Sequence, residues 1–307
     1  MNLMNFRLMI VMIFVNLAYC YACVNEYRTL LSGEVANTSP VSGIIQPKTI
    51  DTFELKQTAD FLLDEYSNTK NIKMYSDYAA TLIYLGDYTK AKNIYIEIEK
   101  ESPDLYSTAS NLGTIYELTG KVDSAYYWIR KSIELNPNSH FGSEWIHIKI
   151  LEHKLKHDSS FQGSILDLDF DRYDIPQNPK GYNLKQLAFH IEHQLKERIT
   201  FVKPKNSIVG NIYFDLGNIF AQIYNVEAGL GCYYQAKKYG FDSDLLETRI
   251  KTLEKLSQNS KPYLKYRELL KYISKNVILL NTVIIASILL FFFLLIKVIK
   301  RLFSNYS

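Results

Sequence analysis

Asp167, Asp169, Asp171 and Asp174 place four carboxylates within eight residues, the density of acid that a calcium loop needs. Counting from Asp167, such a loop requires glycine at its sixth position and glutamate at its twelfth, and Arg172 and Asn178 stand there instead. The run therefore reads as a solvated acidic edge. His153 and His157 are four apart, and His190 and His193 three apart; each spacing puts two imidazoles on one helical face, as zinc can use. Neither pair has a cysteine or a third ligand beside it, and no HExxH occurs. No GxSxG elbow, Walker loop or glycine-rich dinucleotide turn is present. Cys20, Cys23 and Cys232 are too few for a disulfide framework or a four-cysteine zinc module. Cys232, in LGCYY, reads as a packed thiol, and whether it pairs with Cys23 is left open. These residues predict no enzyme, no cofactor and no metal site.

The elements that carry the side chains are clearer than any chemistry. The chain has 307 residues, 47% of them hydrophobic, with few glycines and prolines, which excludes a disordered or collagen-like chain and disfavours a turn-dense β fold. Its formal charge of +3 lies at the ends. Residues 23–276 hold 31 basic against 32 acidic groups, so the body offers no basic surface for nucleic acid.

Residues 1–22 have one cation, Arg7, then an apolar run and small residues at Ala18 and Ala22, the pattern of a secretory signal. Residues 277–296, VILLNTVIIASILLFFFLLI, contain no charge over 20 positions and predict a transmembrane helix of about 30 Å. A basic tail follows at 297–307, with Lys297, Lys300 and Arg301, and a basic juxtamembrane helix at 261–276 precedes the span. Flanking charge alone does not orient it; with the signal, the expectation is an extracytoplasmic body (periplasmic or extracellular) and a short cytoplasmic tail.

The body repeats itself. Gly86 returns as Gly120, Ala91 as Ala125 and Pro103 as Pro137, each 34 residues on, while Tyr78, Leu82 and Tyr95 keep register with Leu112, Tyr116 and Ile129. In each unit an apolar stripe at helical spacing ends near a glycine suited to a left-handed cap. A second helix follows with a small alanine where two backbones approach, and proline ends it. At these positions the sequence resembles the tetratricopeptide repeat, whose period is 34. One helical hairpin cannot bury its apolar face, so others must stack on it. The expected fold is all-α, an α-solenoid of such hairpins with one C-terminal transmembrane helix. Its parts are an extended segment at 23–50, repeats at 51–157, an irregular loop at 158–183 and further helices at 184–260, with 209–241 matching the same template. Phe141 to about His157 is expected to open a further unit.

The resemblance implies that the first helix of each repeat forms a concave wall that binds an extended peptide or a partner's helix. Counted off the core stripe, that wall comprises Lys73, Ala80 and Tyr84, then Ser107, Asn111, Thr114 and Glu117, then Glu144 and Ile148. Chaperone-binding members hold a C-terminal carboxylate with a lysine–asparagine clamp; only Asn111 fits it, with Ser76 and Ala80 where other clamp members would stand. The function expected is a membrane-tethered scaffold or adaptor for a protein or peptide partner. The alternative is an envelope assembly or transport component acting through oligomerisation of its transmembrane helix.

Overall fold

Two glycines 34 residues apart set the grain of the molecule. Gly86 (φ 85°) donates to Ile83 and the next amide, Asp87, to Leu82; Gly120 (φ 77°) donates to Glu117 and the next amide, Lys121, to Tyr116. Both close a helix with the same left-handed cap, a conformation that costs a residue with a Cβ about 1–2 kcal/mol.

The structure, a computed structural model, describes residues 27–37, 41, 43–156, 163–262 and the single positions 265, 272 and 290. The expected signal at 1–22, the tail at 297–307, the span at 277–296 apart from Leu290, and most of 261–276 lie outside the described residues, as do Cys20 and Cys23. Among the described residues no helix is long and apolar enough to cross a membrane.

The chain divides into two compact units. Of the smaller, the described residues include Val35–Asn37, one strand of a small two-stranded sheet, and a short 3₁₀ turn, Gln258–Ser260. The larger, Thr29–Glu34 and Pro40–Leu256, carries the helices. In chain order these are α1 (Thr52–Thr69), α2 (Ile72–Leu85), α3 (Tyr88–Glu101), α4 (Tyr106–Leu118) and α5 (Val122–Leu135). They continue as α6 (Glu144–Lys156), α7 (Leu184–Phe201), α8 (Ser207–Ile223), α9 (Val226–Lys238) and α10 (Asp244–Ser257). The described residues are thus all-α in character, and successive helices pack as adjacent hairpins.

Asp51, Asn71, Asp87, Asn183, Asn206 and Asn225 cap α1, α2, α3, α7, α8 and α9, each side chain accepting from an amide of the first turn. Within the hairpins one small residue recurs where two helices meet. Gly113 lies against Ile129, and Gly217 lies against Tyr233, the same pairing 104 residues later. A Cβ at Gly113 would stand 2.6 Å from the Ile129 side chain, so these helices can approach only without one. The cores follow the hairpins: Tyr78, Leu82, Ala91 and Tyr95 centre the first cluster, and Ile212, Leu216, Phe220 and Tyr233 a larger one.

Two expectations change, and the irregular loop gains a role in the core. The helix expected from Phe141 begins at Glu144, because His140 (φ 48°), Phe141 (φ 59°) and Gly142 (φ 75°) form a consecutive left-handed turn before it. Ile148, expected on the wall, packs instead with Ala125, Ile129 and Leu151 between α5 and α6. The described part of the expected loop, 163–183, is built into the larger core: Ile165, Leu166 and Phe170 are buried there. A turn at Ile165 and Leu166, not strict alternation, puts both inward, while the exposed Asp167 reaches Lys149 on α6 at 2.7 Å.

Candidate functional site

The residue types expected on the first-helix wall converge on a cavity of about 240 Å³. Ala80 and Tyr84 come from α2, Asn111, Thr114, Glu117 and Leu118 from α4, and His140, Glu144 and His147 from the left-handed turn and α6. Helix α7 adds Gln194, Glu197, Arg198 and Phe201, and Lys48 reaches in from the segment before α1. Of the wall residues expected from sequence, Ala80, Tyr84, Asn111, Thr114, Glu117 and Glu144 therefore meet at one place. Lys73 does not: it is exposed on the first turn of α2, away from the cavity.

Glu117 ties three helices together. Its side chain is only 7% exposed, and it accepts from His147 Nε2 (2.7 Å) and Lys154 Nζ (2.6 Å) on α6. From α7, Arg198 Nη1 and Nη2 reach it at 2.6 and 3.2 Å. Burial works against its charge, but Arg198 and His147 outweigh that and hold its carboxyl well below the usual range.

Glu144 is buried as deeply, at 4% side-chain exposure, with a different set of partners. Its carboxylate pairs closely with His140 Nδ1 and lies 3.5 Å from His147 Nδ1. Burial opposes its ionisation too, and the two imidazoles bring its pKa below the ordinary value. The histidines respond in kind. Hydrogen bonding to Glu144 raises His140 despite partial burial, while for His147 the cost of complete burial is exceeded by the charge and hydrogen bond of Glu117. The His193 ring lies tilted against the His140 ring, 5.3 Å between centroids, and is pushed down, by burial first and by His140 second.

The cavity mouth is amphipathic. Lys48 Nζ pairs with Glu197 (2.7 Å) and hydrogen-bonds the Tyr84 hydroxyl (3.3 Å), while the Tyr84 and Phe201 rings meet at 5.2 Å. Asn111 is not wholly free to bind: its Nδ2 donates to Tyr95 Oη (2.8 Å), which in turn donates to the Ser76 carbonyl.

The same wall exists in α8, and there it is filled. Asn211, Asp215 and Asn218 stand 104 residues after Ser107, Asn111 and Thr114. Asn211 clamps the backbone of the irregular segment, donating to the Gly163 carbonyl (2.8 Å) and accepting from the Ile165 amide (2.9 Å). Ser164 Oγ donates to Asp215 at 2.6 Å. Arg249 of α10, fully buried, closes the arrangement: it donates to Asn218 Oδ1 and to the carbonyls of Phe170, Asp171 and Tyr173. Burial raises Asp215 to about 7.

Sequence reasoning missed His140, His147, Gln194, Arg198 and Lys48. His140, Glu144 and His147 follow an i, i+4, i+7 spacing that was there to read; Arg198 is 81 residues from Glu117, and no periodicity links them. The other histidines expected to share a face behave separately: His190 accepts from Trp145 Nε1 (3.1 Å), and His157 lies outside the described residues. Among the described residues no group of three or more histidine, cysteine or acidic side chains is placed to hold a metal ion. Cys232 is buried, its thiol raised by burial and its Sγ 3.5 Å from the Gly43 carbonyl.

The family model of the tetratricopeptide repeat matches residues 106–139, which span α4, α5 and the start of the turn after them. No curated protein and no solved structure matches the chain. Residues 106–139 thus form a tetratricopeptide repeat, and the helical-hairpin architecture around it, with the same close-packed hairpin recurring in α8 and α9, fits a protein built of such repeats.

Proposed function

We propose that the chain is a non-catalytic, membrane-tethered scaffold that holds a protein or peptide partner at the open cavity of α2, α4, α6 and α7. Repeats of this family support protein interaction in general, and no enzymatic family is indicated. The observation that carries the finer reading is the contrast between the two walls: the α8 wall is covered by the chain's own segment, and the α4 wall is left open by the described residues. At about 240 Å³ the cavity is smaller than a typical pocket for a drug-sized molecule, and suits one anchoring side chain of a longer polypeptide. Residues 277–296 supply the tether and 1–22 the export signal, which puts the repeats on the extracytoplasmic side.

A photoreactive phenylalanine analogue at Tyr84, in the full chain in its native membrane, tests the binding site. The expected result is one discrete adduct that Thr114→Trp, which fills the cavity, abolishes. Adducts that are absent, or that persist unchanged with the cavity filled, would remove this site from consideration. Labelling of single exposed cysteines by a membrane-impermeant maleimide in intact cells or spheroplasts tests the side of the membrane.

A further inference from the structure

Glu117 and Glu144 are both buried against the cavity, and their partners differ in kind. Glu117 keeps Arg198 and Lys154, cations at any physiological pH, whereas Glu144 has, among the described residues, only His140 and His147. A buried carboxylate without a cation is strongly unfavourable. The turn that precedes Glu144 is also strained, because His140 and Phe141 both adopt left-handed backbone without being glycine. His140 is the residue that joins the two features: its backbone bears the strain and its imidazolium neutralises Glu144. Its side chain is 40% exposed, so protons reach it from solvent, and the outer face of the turn carries Phe141, 67% exposed, against Phe189 and His193.

We propose that His140 and His147 form a pH-operated latch on this cavity, in which their protonation seats Glu144 and the left-handed turn, and their deprotonation releases the first turn of α6 and loosens the cavity wall. The latch rests on the reading of the cavity as the partner site, since it regulates that site. The charged and titratable groups facing the two imidazoles are Glu117 on α4, Glu144 and Lys154 on α6, His193, Glu197 and Arg198 on α7, and Lys48 from the segment before α1. Lys48 is held by Glu197, and Arg198 and Lys154 are held by Glu117, so these cations keep their places when the histidines lose their protons. Glu144 alone changes from a paired to an unpaired charge. The sign follows from both imidazoles being raised: the stabilisation is complete below the ordinary histidine range and is lost as pH rises through their folded-state values.

The test needs no partner, so its failure is separable from failure of the binding reading. Imidazole titrations by NMR and amide hydrogen exchange are measured on the full chain in mild detergent from pH 5.5 to 9, with exchange corrected for its intrinsic pH dependence. The expected result is that protection of amides 140–147 falls about tenfold or more as the two histidines deprotonate, while amides of α8 and α9 hold. Glu144→Gln should lower the His140 and His147 midpoints by about one unit or more and remove the pH dependence of protection. Unchanged midpoints, or the same pH dependence in variant and parent, would overturn the latch. Should Glu144→Gln lose protection in α8 and α9 as well, His140→Gln carries the test. Its pH-dependent loss must then shrink severalfold, and full dependence without His140 overturns the proposal. If the latch behaves as expected and Tyr84 still yields no adduct at any pH, the binding reading fails alone.

Discussion

Asn111 and Asp215 occupy the same place in two hairpins 104 residues apart, and their surroundings have gone opposite ways. Around Asn111 the wall borders an empty cavity, and the dominant acid nearby, Glu117, is held ionised by cations. Around Asp215 the wall is covered by residues 163–173, and burial leaves that acid partly protonated near neutrality. One hairpin geometry thus borders a cavity in one half and is a floor for the chain's own segment in the other. The fold supplies a polar wall; what lies on it is decided by insertions outside the repeat.

The comparison breaks most severely at Arg249. Arg249→Met removes the donor that holds three carbonyls of the irregular segment, and the variant should lose about 3–5 kcal/mol of stability by urea titration. Limited proteolysis should then cut first within 163–173. If cleavage falls elsewhere, the segment is not held by that arginine.

Glu117→Gln is the matching change in the open wall. It leaves Arg198, His147 and Lys154 around a neutral amide, with an expected loss of about 2–3 kcal/mol. Because the Glu117 carboxyl is held low, its stabilisation is present above the ordinary carboxylate pKa and disappears as pH falls through the acid range. The variant should flatten that acid limb in a plot of unfolding free energy against pH.

Asp215→Asn should do the reverse. A carboxyl raised to about 7 favours the folded state below about pH 4, and that contribution is lost as pH climbs toward 7. The variant is expected to be more stable than the parent above pH 7, by about 1–2 kcal/mol, and to show no such decline. Equal slopes in variant and parent would place the titration elsewhere.

The smallest effect belongs to Lys73→Ala. Lys73 is exposed and off the cavity, so stability should stay within about 0.5 kcal/mol and photocrosslinking from Tyr84 should be unchanged. Loss of the adduct would mean that the binding surface extends along α2 beyond the cavity.

How much of this could be read beforehand depends on the range of the interaction. The hairpins follow from a period of 34, because Gly86 and Gly120, Ala91 and Ala125, or Gly113 and Gly217 repeat a local steric need that each unit meets alone. Six of the wall residues, Ala80 among them, likewise reach the cavity because helical spacing fixes the face they stand on. Periodicity could not show that Arg198 reaches Glu117, since that contact depends on how α7 packs after an insertion without repeat character. Nor could it show the left-handed turn at His140. Phenylalanine carries no turn signature, and the contacts that hold this backbone, His140 with Glu144, Ser143 with the His140 carbonyl and Phe141 with Phe189, are made only in the folded chain. The burial of 163–173 was hidden by its acids, since Asp167, Asp169 and Asp171 read as solvent-facing while Ile165, Leu166 and Phe170 between and beside them face the core.

The segment before α1 has a bearing on how the molecule is made. Gly43 sits so close to α9 that its Cβ would collide with the backbone of Ala228 and Cys232, and Lys48 grips Glu197 at the cavity mouth. Helical arrays ordinarily zip up between neighbours as they emerge from the ribosome. This clasp joins residues 189 and 149 positions apart, so its Glu197 half must wait for α7 and its Cys232 half for α9. The rim of the open cavity thus waits for α7, and the segment that bears Lys48 is seated against α9 only later; a nascent chain stopped before α7 would carry its first hairpins without a finished mouth.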